Sequence, residues 1–320
     1  MTRGAAPAPT LAIVVPCYNE EPVVEETAAA LLGVLGEMRE RGKIDAGSFL
    51  YFVDDGSRDR TWELVAALHG KDRTVGGLRL SRNVGHQNAL IAGLLRVAER
   101  AECTISIDAD LQDDVAAIPE MVDRYREGAD IVYGVRRERD SDTAFKKWTA
   151  GLFYRLMRML GAEMVPHHAD FRLLSKRALR ALSEFRESNL FLRGIVPLLG
   201  FQAGTVVYDR RARSAGETKY PLRKMLSLAW EGITSFSVIP LRIVSAVGIA
   251  ISLMCLILSA WVLWSVFAGR VVPGWASTVL PIYFLGGVQL LGIGLIGEYV
   301  GKVYKEVKRR PRFIMEEELP

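Results

Sequence analysis

Residues 104–114 read TISIDADLQDD, an apolar run that ends in four carboxylates, Asp108, Asp110, Asp113 and Asp114. Asp108 and Asp110 stand two apart, so on an extended chain they project to the same side. Carboxylates held that close repel, and one is driven to take a proton unless a cation lies beside them. Hard oxygen donors of this kind suit Mg2+ or Mn2+, ions that retain waters and bind a substrate's phosphates as well. The stretch thus reads as a seat for a metal and a diphosphate. The plainer alternative is a solvated acidic loop in which Asp113 or Asp114 caps the next helix.

A seat of this kind has to be positioned, and the sequence around it alternates strand and helix patterns. Leu11–Val15 leads into Glu25–Arg41, Phe49–Val53 into Thr61–Leu68, Leu78–Leu80 into Gln87–Arg100, and Thr104–Ile107 into Ala117–Glu127, with Ile131–Tyr133 next. That order predicts a mostly parallel sheet with helices on both faces. Ligands of such sheets bind beyond the carboxyl ends of the strands. After the first strand comes PCYNEE, with Pro16, Tyr18 and Glu20; after the second, Asp54-Asp55-Gly56-Ser57; after the third, Ser81-Arg82-Asn83-Val84-Gly85; after the fourth, DADLQD. Each alone is an ordinary turn. Four in succession, delivered to one edge, read as a site.

Composition narrows the class. The chain has 320 residues and a net charge of +4, too modest to suggest nucleic-acid binding. Cys17, Cys103 and Cys255 lie far apart with no CxxC pair, so neither a disulfide framework nor a zinc site is expected. The opening MTRGAAPAPT lacks the apolar core of a signal peptide, which leaves the N-terminus expected in the cytoplasm. The largest shift comes late: the 27 positions of Ile243–Gly269 and the 27 of Val271–Gly297 carry no charge. As helices each would run about 40 Å, more than a bilayer's hydrocarbon core. Two buried helices of a soluble core are the competing reading. Basic residues flank the pair on both sides, Lys219, Arg223, Lys224 and Arg242 before it and Lys302, Lys305, Lys308, Arg309, Arg310 and Arg312 after it. Positive flanks stay inside, so a multi-pass protein of the cytoplasmic membrane is expected, with both ends in the cytoplasm.

PCYNEE, VDDGSRDRT, SRNVGHQNAL and DADLQD, in this order and spacing, resemble the nucleotide-sugar-binding GT-A domain of family 2 glycosyltransferases. GETKYP followed by a two-span hairpin and basic residues is similar, more narrowly, to the polyprenyl-phosphate (bactoprenol) glucosyltransferases, relatives of dolichol-phosphate mannose synthase. The resemblance covers roughly residues 10 to 312. It implies a Rossmann-like α/β GT-A domain over 1–215, an amphipathic juxtamembrane segment over 216–241, two transmembrane helices over 242–298 and a basic cytoplasmic tail over 299–320. It also implies roles: Pro16, Tyr18, Glu20 and Asp55 around the nucleotide's base and ribose, Arg82 and Asp108 on the nucleotide side, and Asp108, Asp110 and Gln112 at a Mg2+ or Mn2+ ion.

The implied acceptor is a polyprenyl phosphate, here undecaprenyl phosphate. A phosphate monoester has its second pKa near 6 and needs cations rather than a base. Arg136 and Arg213 fall where the resemblance implies phosphate binding; Lys219, Lys146 and Lys147 are further candidates, with Thr218 replacing the family's serine. Asp170 falls where soluble relatives place a catalytic carboxylate; a phosphate acceptor needs no base, so it is expected either to act there or instead to orient Arg172 or the acceptor pocket. His167 and His168 lack the spaced partner of a metal site. The stretches 148–160 and 220–236 combine Trp, Phe and Leu with Lys or Arg, as interfacial helices do, although a core-facing role also fits the first. Glycines of the second span, Gly286, Gly287, Gly292, Gly294 and Gly297, permit close packing, and a homo-oligomer is expected. The expected activity is transfer of a hexose, glucose from UDP-glucose, to the lipid phosphate with inversion. Two alternatives are a processive polysaccharide synthase, whose Gln-x-x-Arg-Trp motif is missing because the chain has no Arg-Trp pair, and a non-catalytic nucleotide-sugar-binding membrane protein.

Overall fold

The computed structural model describes residues 7–137, 168–187, 192–209, 239–268 and 274–320. They fall into two units, one built on a sheet that includes the C-terminal Pro311–Pro320 and one built on a helical pair. In the sheet unit, β1 (Leu11–Cys17), β2 (Phe49–Asp54), β3 (Val75–Leu80) and β4 (Cys103–Ser106) form a parallel block with β1 at its middle. Every residue of β1 and β2 is buried, which is why they read as unbroken apolar runs rather than alternating ones. Helix α1 (Val24–Glu40) buries Val24, Ala28, Leu31, Leu35 and Met38, the four-and-three spacing of a single helical face. Helices α2 (Thr61–Lys71), α3 (His86–Val97) and α4 (Ile118–Arg126) follow β2, β3 and β4. Gly93 lets α3 lie directly on the sheet, since a Cβ there would collide with Val53 and Val14.

Beyond β4 the sheet changes character. Strand β5 (Ile131–Arg136) and β6 (His168–Ser175) pair antiparallel, β6 also runs antiparallel to β4, and β7 (Ala203–Tyr208) lies parallel to β5. Helices α5 (Lys176–Ser183) and α6 (Leu192–Leu198) belong to this flank. At the opposite edge β8 (Met315–Leu319) pairs antiparallel with β3, giving the order β7-β5-β6-β4-β1-β2-β3-β8.

Strand β8 differs from the sequence expectation of a basic tail over 299–320. Its three glutamates look like solvated charge, yet each has a partner on the sheet: Glu318 takes Arg96 Nε and Nη2 at 2.5 Å each and the Tyr51 hydroxyl at 3.1 Å. Glu317 accepts from Trp62 Nε1 at 2.8 Å, and Glu316 lies 3.5 Å from Arg79 Nε. The strand is held by polar partners rather than by a buried apolar face.

The second unit contains α7 (Ile239–Phe267) and α8 (Trp275–Val307), of 29 and 33 residues. At 1.5 Å per residue they run about 43 and 50 Å, enough to cross a bilayer. None of the apolar window Ile239–Leu258 and only 6% of Phe284–Val307 is buried, whereas the core helix of a soluble domain is mostly buried. Gly292 faces Val244 of α7 at close range; Gly286, Gly294 and Gly297 meet nothing within 4 Å.

Candidate active site

The loops after the parallel strands brace one another. Asn19 N donates to Ser57 Oγ at 2.9 Å, Arg58 N to Asn19 Oδ1 at 2.9 Å and Glu20 N to Thr61 Oγ1 at 2.9 Å, which ties the β1 loop to the β2 loop. Asp55 accepts from Val84 N at 2.7 Å and Gly85 N at 2.9 Å, which ties β2 to the β3 loop. Gly56 has a φ of +67°, and a Cβ there would lie 2.6 Å from the Arg82 carbonyl carbon, so both the turn and the close approach demand glycine. Thr27 Oγ1 on α1 donates to Ala109 O at 2.6 Å and fixes the β4 loop.

These loops enclose a cleft of about 300 Å3. Pro16, Tyr18, Glu20, Asp55, Asp108 and Asp110 all line it, as the sequence expects, together with Asn83 and His86. Tyr18 is exposed, as a ring awaiting a stacking partner would be. Arg82 is also exposed but does not line the cleft; its neighbour Asn83 does. Gln112 is buried, and its Nε2 donates to Asp110 Oδ2 at 2.5 Å. That bond orients Asp110 directly. Among the described residues no group of three or more His, Cys, Asp or Glu side chains forms a closed metal cage. Two aspartates opening on a cleft suit an ion that takes one or two protein carboxylates and completes its shell with phosphate and water.

Burial, helped by the nearby charges of Asp170, Asp113 and Asp110, pushes Asp108 up to about 6, against the pull of His86. A carboxylate this reluctant to ionise is stabilised by a cation beside it.

Asp114 caps the short turn at Val115–Ala117 by accepting from Ala116 N at 3.2 Å, so the capping alternative holds for that residue. Asp113 does something else: it is buried and pairs with Arg136 at 2.9 Å, while the Tyr208 hydroxyl donates to it at 2.6 Å. Arg136 is therefore fixed by Asp113 of the loop after β4 and by Tyr208 of β7.

Asp170 on β6 is the centre of a second cluster. Arg172 Nη2 and Arg193 Nη2, the latter at 3.1 Å, bond its carboxylate. Gln87 Nε2 reaches it at 3.4 Å, and His86 Nε2 lies 3.6 Å from both Asp170 Oδ2 and Asp108 Oδ1. Burial would raise Asp170, but His86, Arg172 and Arg193 hold it well below the usual carboxylate range. It is a poor proton acceptor. Its bonds to Arg172 and Arg193 are those of an orienting group. For His86, burial lowers the imidazole, yet Asp170 and Asp108 together raise it above its ordinary value.

Sequence reading gave no role to His86, Gln87, Asn83, Arg193 and Tyr208, and offered Asp113 only as a helix cap. His86 and Gln87 lie inside SRNVGHQNAL, the loop already singled out; Arg193 and Tyr208 carry no local signal. Arg213, Lys219, Lys146 and Lys147, and the stretches 148–160 and 220–236, lie outside the described residues.

Residues 12–183 match the family model described as Glycosyl transferase family 2. The chain belongs to glycosyl transferase family 2. It is 50% identical to the glycosyltransferase YkoT of Bacillus subtilis (strain 168) over 97% of this chain and 92% of that one. The glycosyltransferase YkcC of the same organism is 40% identical over 95% of this chain and 92% of its own. The prophage bactoprenol glucosyl transferase homolog of Escherichia coli (strain K12) is 36% identical over 95% and 98%. This family 2 member is a glycosyltransferase, and its mostly parallel, Rossmann-like sheet is the GT-A fold with two long apolar helices after it.

Proposed function

We propose that the protein transfers a hexose, glucose from UDP-glucose, to the phosphate of a polyprenyl lipid, undecaprenyl phosphate, on the cytoplasmic leaflet, with inversion and with Mg2+ or Mn2+ at Asp108, Asp110 and Gln112. The product is a polyprenyl-phosphate sugar that serves glycan or glycolipid modification. The observation that carries the reading is the presence, in one chain, of a carboxylate-edged cleft and two helices of bilayer length whose apolar surface is not buried in the protein. A water-soluble acceptor would not call for such helices. The name of the Escherichia coli relative, which matches both units, supports the same lipid.

The residues divide the work. Pro16, Tyr18, Glu20 and Asp55 hold base and ribose; Arg82, on the same loop as Asn83, contributes positive charge at the nucleotide side. Asp110, oriented by Gln112, and Asp108, held beside His86, face the diphosphate. A divalent ion bound there would stabilise the charge that grows on the leaving diphosphate. Arg136, fixed by Asp113, together with Arg213 and Lys219, binds the acceptor phosphate. Already an anion at neutral pH, that phosphate attacks the anomeric carbon in line without a base. Asp170 stays ionised and positions its neighbours.

The same reading gives a topology. The chain leaves the sheet unit before α7 and returns to it as β8. A segment that leaves and rejoins one sheet crosses a membrane an even number of times. Two crossings keep the sheet unit on one side, and the basic flanks of the pair make that side the cytoplasm, with 1–215 as the catalytic domain, 216–241 as the juxtamembrane segment and 242–298 as the hairpin. The glycines of α8 that face open space, Gly286, Gly294 and Gly297, favour a homo-oligomer in the bilayer.

The experiment is product analysis. Purified protein is given a panel of UDP- and GDP-sugars with undecaprenyl phosphate, and the anomeric configuration of the lipid-linked sugar is read by NMR. A β-linked glucosyl product from α-linked UDP-glucose is expected. A product of retained configuration, or label found only in polymer, contradicts the reading.

A further inference from the structure

Two arginines of the sheet unit are held in the same way. Arg136 is gripped at Nε and Nη2 by Asp113 Oδ1, at 3.2 and 2.9 Å; Arg193 is gripped at the same two atoms by Asp170, at 3.3 Å from Oδ1 and 3.1 Å from Oδ2. The aspartate side chains are nearly sealed, 1% and 8% exposed, whereas the arginines keep 32% and 38% of their side-chain surface open. A guanidinium carries five N–H donors in a rigid planar fork. A carboxylate bound at Nε and Nη2 leaves Nη1 and one Nη2 hydrogen for a second anion.

Arg193 is set with particular care. Leu192 just before it is clasped from both sides, its carbonyl accepting from Arg172 Nη1 at 3.3 Å and its N–H donating to Gln87 Oε1 at 3.2 Å. Arg172 and Gln87 are also the residues that reach Asp170. The same two side chains thus fix both the backbone that carries the cation and the counter-ion that aims it. Arg193 lies within electrostatic reach of Arg136, which it repels, and of Asp108 at the cleft. Asp113 and Asp170 each offset one of these charges, and the partly open guanidinium faces that the aspartates leave are where a further anion would bind. Yet Arg193 does not line the cleft beside Asp55 and Asp108.

We propose that Arg193 and Arg136 form a two-arginine cradle for the phosphate monoester of the acceptor, with Asp170 as the positioning residue of Arg193. The inference rests on the phosphate-acceptor reading above and adds to it a residue that the resemblance does not supply. It also gives Asp170 a use that requires no proton transfer.

The test uses the full-length protein purified in detergent, as wild type, Arg193→Gln and Arg193→Lys. Calorimetry measures binding of farnesyl phosphate, a short isoprenoid phosphate monoester, with farnesol as control. Kinetics give separate KM values for undecaprenyl phosphate and UDP-glucose, and a melting temperature monitors folding. Wild type is expected to bind farnesyl phosphate and not farnesol. Arg193→Gln is expected to weaken farnesyl phosphate and raise the lipid KM by about 10- to 100-fold, the worth of a charge-assisted hydrogen bond. The donor KM and melting temperature should stay near wild type. Arg193→Lys should recover part of the loss, because it keeps the charge without the fork. An unchanged lipid KM and farnesyl phosphate affinity in Arg193→Gln overturns the cradle, as does a wild type that binds neither compound. A rise confined to the donor KM moves the arginine to the diphosphate and overturns the acceptor assignment. An equal fall in melting temperature for both variants, with no selective change in lipid KM, makes the residue merely structural. Wild type that binds farnesyl phosphate through Arg193 yet transfers no sugar to any polyprenyl phosphate would refute the proposed function and leave the cradle standing.

Discussion

At the parallel block, Asp110 is oriented by Gln112, two positions along the chain, and Asp55 by the backbone amides of Val84 and Gly85. At the antiparallel flank, Asp170 is oriented by side chains from three elements: Arg172 on its own strand, Arg193 on α6, and Gln87 with His86 on α3. The first carboxylates sit in turns whose composition announces them. The second is an assembled object. Electrostatically the two regions are opposites, since Asp108 is pushed up to about 6 by burial and Asp170 is held well below the usual range by its cations. One region pairs Asp55 and Asp108 with no arginine or lysine salt bridge among the described residues, only with His86 beside Asp108, and is suited to a divalent ion; the other holds two arginines on one aspartate and is suited to presenting them to an anion.

The largest effect that separates the regions is expected at Asp110. Asp110→Asn should lower sugar transfer by about 10^2 to 10^3-fold, the usual loss when one group that stabilises the transition-state charge is removed, with a melting temperature near wild type. An assay of lipid-linked label checks it. Asp170→Asn should do the reverse, with its main effect on folding. Its side chain is 8% exposed and that of Arg172 only 1% exposed, so neutralising it leaves a buried cation without its counter-ion. Losses of about 3 to 5 kcal/mol are usual for breaking such pairs, and urea titration would read this one. A variant that unfolds normally yet has lost all turnover would return Asp170 to the reacting atoms.

The third effect concerns the edge strand. Deleting Met315–Leu319 uncovers β3 and strips Trp62 Nε1 and the Tyr51 hydroxyl of their partners. An uncovered strand edge invites intermolecular pairing, so size-exclusion chromatography should show aggregates and thermal scans a lower midpoint. Glu318→Ala alone should cost less than about 1 kcal/mol, because its pair with Arg96 is partly exposed and screened.

The smallest effect is a pH slope. The raised Asp108 keeps its proton in the folded protein at pH values where the unfolded chain has already lost it. Stability therefore falls as pH rises from the ordinary aspartate range, about 4, to about 6. Asp170 is depressed instead: its contribution is fully present above the ordinary range and is lost only in stronger acid. Metal-free protein should accordingly lose stability between about pH 4 and 6. The slope should flatten in Asp108→Asn and persist in Asp170→Asn. A slope unaffected by Asp108→Asn would contradict the assignment.

The same contrast explains what could be read from the chain alone. Strands β1 to β4 and their helices were legible because buried parallel strands are continuous apolar runs and the helices between them have one apolar face. The motifs were legible because each follows its strand directly. Strand β3 begins earlier than expected, since Gly76 and Gly77 resemble a turn, although they sit under Tyr51 and beside Trp62 and Val65 within the sheet. Strand β6 carries a buried Asp170 and Arg172, and β8 is mostly glutamate; both contradict an apolar strand pattern and are stabilised by partners far away in sequence. Arg193 gives no sign of its role until α6 brings it to Asp170.

The measurement that tests the central claim most directly is the transfer of radiolabel from UDP-glucose into a mild-acid-labile lipid by membranes supplied with undecaprenyl phosphate and Mn2+ or Mg2+, comparing wild type with Asp110→Ala. Label that extracts with the lipid for wild type, and disappears with the variant or with EDTA, is the predicted result. Label that stays equal in the two, or never enters lipid with any nucleotide sugar while one still binds the protein, would contradict it.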